Sequence, residues 1–197
     1  MPWLEVETKI KVHNPKEMRK RIKAISKFVK KERRGDDYFA LKKKSYPKKA
    51  FRIRNTKEEH VVNFKKHLKK YWSDDIVVKQ EFEFNLKTVE YVRDFLALLR
   101  DLGFKEWMKK IKTSESYRYK KDKRVVVELN YVKHLGYFIE LEYLCQMNEL
   151  KKAKKKLRQV MRELGINKKD IDNTGYTKML FKKGIKDRKY FLKEYGI

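Results

Sequence analysis

Two rhythms divide this chain. Apolar and polar residues alternate with period two over most of its length, the mark of half-buried strands, and recur at helical spacing over three stretches. Residues 3–12 alternate as a strand. Asn14-Pro15 supplies a helix cap and a first-turn proline; Met18, Ile22, Ile25, Phe28 and Val29 follow at helical spacing, with Gly35 as the stop. Strand patterns come next at 36–43, 51–54 and 60–66, parted by turns at Ser45-Tyr46-Pro47 and at 56–59. Residues 67–75 are polar and basic without an apolar period, which reads as a loop bridging two halves.

The pattern then restarts with a strand at 76–86. Thr88 caps a helix with Val92, Phe95, Leu96, Leu99 and Leu102 inward, and Gly103 ends it. Strands at 107–119, 124–131 and 137–144 follow, with turns at 120–123 and at His134-Leu135-Gly136. Each half is strand, helix, strand, strand, strand, an internal pseudo-repeat in layout, and Arg52-Ile53-Arg54 echoes Lys110-Ile111-Lys112. Four strands plus four is the number that closes into a barrel with a narrow interior. A third helix is expected at 149–164 with Gly165 beyond it, a short last element at 173–181, and a basic aromatic tail at 182–197. The expected organisation is one domain, 1–181, and that tail.

The strands carry charge where packing faces carry carbon. Glu5, Glu7 and Lys9 share one face of the first strand, and the carboxylate-x-carboxylate step recurs at Glu81/Glu83 and Glu140/Glu142. Under closure the acidic inward groups are these six and Glu128; the basic ones are Lys9, Arg52, Arg54, Lys65, Lys79, Lys110 and Lys112. Two like charges ~4 Å apart repel by roughly 4 kcal/mol at an effective dielectric of 20, so crowded carboxylates need cations. Lysines and arginines satisfy some. The remainder fit a hard divalent ion such as Mg²⁺, of the kind shared with substrate phosphates, and arginine forks suit phosphate oxygens. Alternating Glu and Lys on an exposed sheet face also make cross-strand ion pairs; three Glu-x-Glu steps with an Arg-x-Arg in one small chain favour a site.

Composition sets the outer limits. The 197 residues suit one domain with a sizeable core, and a net charge of +27 attracts polyanions: nucleic acid, phosphorylated small molecules or acidic membrane surfaces. Apolar residues make up 41%, so this is no disordered basic tail. The lone Cys145 forbids an internal disulfide and reads as a core residue in a reducing compartment. No apolar run reaches the ~18–20 residues of a membrane span and no signal peptide is visible, so a cytoplasmic protein is expected, monomer or homodimer. Abundant Lys and Glu with three Gln point to a thermophilic source. His13, His60, His67 and His134 lack metal-ligand spacing, and the seven glycines build neither a P-loop nor a dinucleotide-binding turn.

The ordered motifs resemble the CYTH superfamily of triphosphate tunnel metalloenzymes, which includes thiamine triphosphatases, tripolyphosphatases and class IV adenylyl cyclases. Glu5-Val6-Glu7-Thr8-Lys9 is similar to its N-terminal ExExK; Asp37-Tyr38-Phe39, Phe51-Arg52-Ile53-Arg54, Asn63-Phe64-Lys65, Lys79-Gln80-Glu81-Phe82-Glu83, the run 135–142 and Thr174-Gly175-Tyr176 follow in family order. The resemblance implies an α+β fold, an eight-stranded antiparallel β-barrel with flanking helices. It implies that Glu5, Glu7, Glu140 and Glu142 hold Mg²⁺ or Mn²⁺, that Lys9, Arg52, Arg54, Lys65 and Lys112 grip a triphosphate, and that Glu81 and Glu83 orient basic residues or water. Lys79 and Lys110 complete the expected phosphate-binding set. Two positions depart from the pattern. Asn130, whose neutral amide is a weaker metal ligand than a carboxylate, stands where the family carries Asp, and Ser114 stands where it carries Arg, unless Lys110-Ile111-Lys112 is the basic pair instead. The expected activity is metal-dependent hydrolysis of a triphosphate. Cyclisation of ATP in the same site remains open, as does a non-catalytic module binding phosphorylated ligands or RNA, weakly, on its basic surface.

Overall fold

The computed structural model describes residues 3–41, 45–47, 50–55 and 60–185. The turn expected at 56–59, strand positions 42–43 and tail residues 186–197 lie outside the described residues. Eight strands form a closed antiparallel barrel: β1 (Leu4–Val12), β2 (Ser26–Leu41), β3 (Phe51–Asn55), β4 (His60–His67), β5 (Val77–Leu86), β6 (Phe104–Tyr119), β7 (Val125–Val132) and β8 (Gly136–Cys145). Around the barrel the order is β1-β5-β4-β3-β2-β6-β7-β8. Among the described residues four helices accompany it: α1 (Pro15–Ile25), α2 (Val89–Asp101), α3 (Leu150–Glu163) and α4 (Tyr176–Lys182). The element order β1-α1-β2-β3-β4 and β5-α2-β6-β7-β8 is the expected pseudo-repeat.

The chain divides into two compact units. In the first (1–32, 66–81, 113–174), the even face of β1 and the odd faces of β7 and β8 supply Val6, Ile10, Val127, Leu129, Ile139, Leu141 and Tyr143. They pack with Leu157, Val160 and Leu164 of the α3 region and Ile22 of α1 in one core cluster. Burying each such side chain stabilises by ~1.5–3 kcal/mol. Behind α3, Gly165 adopts φ +65°; its N–H bonds to Arg162 O and that of Ile166 to Met161 O, both at 3.0 Å, a left-handed stop that suits glycine. In the second unit (33–65, 82–112, 175 onward), Phe39, Ile53, Val62 and Leu86 pack with Val92, Leu96 and Leu99 of α2.

Several boundaries differ from expectation. α1 stops at Ile25, and Phe28 and Val29 stand exposed in β2, which begins at Ser26 and runs through Gly35. The stop comes from elsewhere in the fold: Lys120 donates its backbone N–H to Ile25 O at 3.0 Å and its ammonium to Ala24 O at 2.6 Å, satisfying carbonyls that another helical turn would have used. Leu102, expected inward, lies exposed just past the end of α2. The short last element is the helix α4, and the 67–75 loop contains a 3-10 turn at Lys69–Tyr71.

Candidate functional site

The faces opposite the apolar cores carry the charge. In the first unit, Glu5, Glu7 and Lys9 are 2%, 5% and 2% exposed, so their face of β1 is sealed from solvent. Register sets the electrostatics. Glu7 lies opposite Glu142 and Lys9 opposite Glu140 across β1–β8, while Glu128 lies opposite Glu140 across β7–β8. Like charges directly opposite destabilise a sheet, and here two such pairs adjoin. Carboxylate oxygens of Glu5, Glu7 and Glu142 lie within 4.8 Å of one another, as do those of Glu128, Glu140 and Glu142. Lys79 forms an ion pair with Glu7. Ser116 Oγ donates to Glu128 at 3.1 Å and Asn130 Nδ2 to Glu140 at 2.7 Å. An all-oxygen donor set with Glu142 common to both groups fits a hard divalent cation.

Lys9 is fastened by the chain's far end. Its ammonium donates to Thr174 O at 2.5 Å and its backbone N–H to Asn173 Oδ1 at 2.9 Å, while Asp172 N–H donates to Lys9 O at 2.9 Å. Burial lowers the Lys9 pKa, and the carboxylates of Glu140 and Glu7 act against that shift. Asn173 in turn donates to Asp75 O at 3.2 Å. Asp75 is clasped by the Arg158 guanidinium at 2.7 and 2.9 Å, hydrogen bonds that bring its carboxyl down to about 2.

The second unit holds a basic hub. Asp36 is fully buried and faces Arg52 at 3.3 Å, Arg54 at 3.1 Å and Lys110 at 2.7 Å. Burial alone would raise its pKa; the three cations outweigh burial and hold the carboxyl well below the usual range. Lys110 Nζ also lies 5.7 Å from the Tyr38 ring centre and 5.5 Å from that of Tyr176. Burial would raise the Tyr38 phenol too, but Lys110 and Arg52 lower it. One carboxylate shared by three cations leaves a net positive group suited to phosphate oxygens.

The other expected residues fall as follows. Lys112 is buried on the same face of β6 as Lys110, and Ser114 and Ser116 continue that face, so Lys110 and Lys112 form a basic pair and Ser114 shares their side of the strand. Lys65 and Lys79 are half-buried. Glu81 is half-buried, and Glu83 is exposed and accepts from Asn63 Nδ2 at 2.7 Å; neither belongs to the two carboxylate groups. Asn130 is buried beside Glu140. Cys145 is buried, and burial pushes its thiol up to about 11, so it is a core residue. Sequence reasoning missed Asp36 and the 172–174 clasp on Lys9. A signal for Asp36 was present: Phe39 is a core side chain, so Asp36 and Tyr38 must share the opposite face.

A family model for the CYTH domain matches residues 4–176. The chain belongs to the CYTH family. Among solved structures, the PH1819 protein of Pyrococcus horikoshii OT3 is 29% identical with a TM-score of 0.73, covering 91% of this chain and 99% of its own. The PH1012 protein of the same organism is 26% identical with a TM-score of 0.71, covering 88% and 98%. A Hippeastrum protein described under adenylyl cyclase, with a dominant triphosphatase activity, has a TM-score of 0.62 at 13% identity, covering 92% and 96%, a likeness of fold alone. A search of curated proteins gave no match. Among the described residues no helix is long and apolar enough to cross a membrane.

Proposed function

We propose that this CYTH protein hydrolyses a triphosphate in a divalent-metal-dependent reaction. The observation that carries the reading is the register: Glu7 opposite Glu142, and Glu128 opposite Glu140, on faces closed to water or nearly so. Such rows are repulsive as they stand and become favourable around a cation. Glu5, Glu7, Glu140 and Glu142 would hold Mg²⁺ or Mn²⁺, with Glu128 beside them and Asn130 placing a neutral oxygen at the site, directly or through water. When bound, the cation would neutralise charge on phosphoryl oxygens and polarise them.

The chain's own residues supply the rest. Arg52, Arg54, Lys110 and Lys112 would bind phosphate oxygens, the arginines as forks and the lysines as point charges. Lys65, Lys79 and Lys9 would add positive charge along the phosphate chain. Asp36 keeps the guanidinium groups of Arg52 and Arg54 and the Lys110 ammonium converged before substrate arrives, so little reorganisation is needed as negative charge spreads in the transition state. Glu81 and Glu83 would orient basic side chains or water from the middle of β5.

The test is incubation with tripolyphosphate, thiamine triphosphate and ATP, each with MgCl₂ or MnCl₂, following phosphate, pyrophosphate and cyclic nucleotide. Phosphate release that Glu5→Gln abolishes supports the proposal. Pyrophosphate with cyclic AMP from ATP would replace hydrolysis by cyclisation. No turnover together with salt-sensitive RNA binding would make the protein a binding module.

A further inference from the structure

Two fully buried oxygens on β6 and β7, Ser114 Oγ and Asn130 Oδ1, have no hydrogen-bond partner among the described residues. A buried polar atom left unpaired costs ~1–3 kcal/mol, so each needs a reason. Their placement supplies one. β6 and β7 are neighbours joined by the turn at 120–124. The 3.1 Å hydrogen bond from Ser116 to Glu128 implies a register that sets Tyr119 against Val125 across that turn. Two residues further along each strand, Ser114 comes beside Asn130.

The amide orientation is fixed as well. Asn130 Nδ2 donates to Glu140 at 2.7 Å; a flipped amide would set oxygen against a carboxylate, so Oδ1 must be the end turned away. Whatever satisfies Asn130 Oδ1 must donate a hydrogen bond or be a cation, which excludes a phosphate oxygen. A hydroxyl on the neighbouring strand can donate or accept. Water meets both demands, and small divalent cations keep several of their waters when carboxylates bind them.

We propose that Ser114 and Asn130 hold a hydration water of a divalent cation bound at Glu128, Glu140 and Glu142, so that β6 contributes to that cation through water and β7 both through Glu128 and through water. The inference rests on the metal-dependent reading above. It makes Asn130 a positioning residue twice over, through Glu140 on one side and through the water on the other. It also gives the neutral Ser114–Asn130 pair a task that charged residues would do differently: an aspartate at 130 could ligate the ion outright.

The experiment is calorimetric titration of the full chain with MnCl₂, paired with melting curves with and without MnCl₂. Ser114→Ala is expected to bind Mn²⁺ about fivefold more weakly, the worth of one hydrogen bond, and Ser114→Cys, which keeps the side-chain size, should do the same. Asn130→Ala is expected to lose ~10–100-fold, because it also frees Glu140. Without metal, Ser114→Ala should melt no lower than wild type, since an unpaired hydroxyl has gone. The proposal is overturned if both Ser114 variants bind Mn²⁺ as wild type does and the MnCl₂-induced rise in melting temperature is unchanged, the behaviour of a dry packing defect. Wild-type protein that binds no Mn²⁺ would sink this inference and the metal-dependent reading together; wild-type binding with unaffected Ser114 variants would sink this inference alone.

Discussion

Replacing Asp36 with asparagine removes a carboxylate shared by Arg52, Arg54 and Lys110 while keeping its size. Three charge-assisted contacts at 3.3, 3.1 and 2.7 Å are lost. Removing one partner of a buried ion pair costs ~3–5 kcal/mol. For a chain of this size each kcal/mol lowers the melting temperature by ~2–4 °C, so Asp36→Asn should melt about 6–20 °C below wild type. The reasoning makes a second demand. If the hub is built for phosphate, tripolyphosphate should supply the missing negative charge. Differential scanning fluorimetry with added tripolyphosphate should show a larger upward shift for the variant than for wild type. A variant that melts within about 2 °C of wild type, or that gains no more from tripolyphosphate, would refute the hub as a prearranged phosphate grip.

Other outcomes follow from the same geometry. Asn173→Ala removes the acceptor for the Lys9 N–H and the donor to Asp75 O; it should cost ~1–3 kcal/mol in denaturant unfolding and weaken tripolyphosphate binding, whereas unchanged binding would show that the clasp does not position Lys9. Asp75 has a folded pKa of about 2 against an ordinary 3.8. Its contribution is therefore fully present above pH 3.8 and is lost as pH falls through about 2. Asp75→Asn should flatten the stability-against-pH curve across that window, and a slope equal to wild type would contradict the Arg158 clasp.

Most of the architecture was legible because strands advertise themselves by alternation, and in each unit the strand faces opposite the apolar core carry the charge. Glu5, Glu7 and Lys9 share a face by period alone, and burial of all three follows from closure. The end of α1 was not legible. Phe28 and Val29 sit at helical spacing, but Lys120, far along the chain, satisfies the carbonyls that end the helix. Asp36 was obscured by its neighbour: with Asp36 and Asp37 adjacent, only the burial of Phe39 says which acid meets the arginines. The Lys9 clasp spans 164 residues to Asn173 and has no local pattern to betray it. Likewise Ser114 and Asn130 read as separate departures from a motif, and become a pair only through the β6–β7 register that the Ser116–Glu128 hydrogen bond implies.

The most direct test of a cation-dependent site is the dependence of phosphate release on MnCl₂ in wild type and in Glu142→Gln, because Glu142 alone belongs to both carboxylate groups. Release from tripolyphosphate should require the metal, stop on chelation, and fall to background in the variant while its fold, judged by circular dichroism, is retained. Release that survives chelation, or that Glu142→Gln sustains at the wild-type rate, would contradict the account.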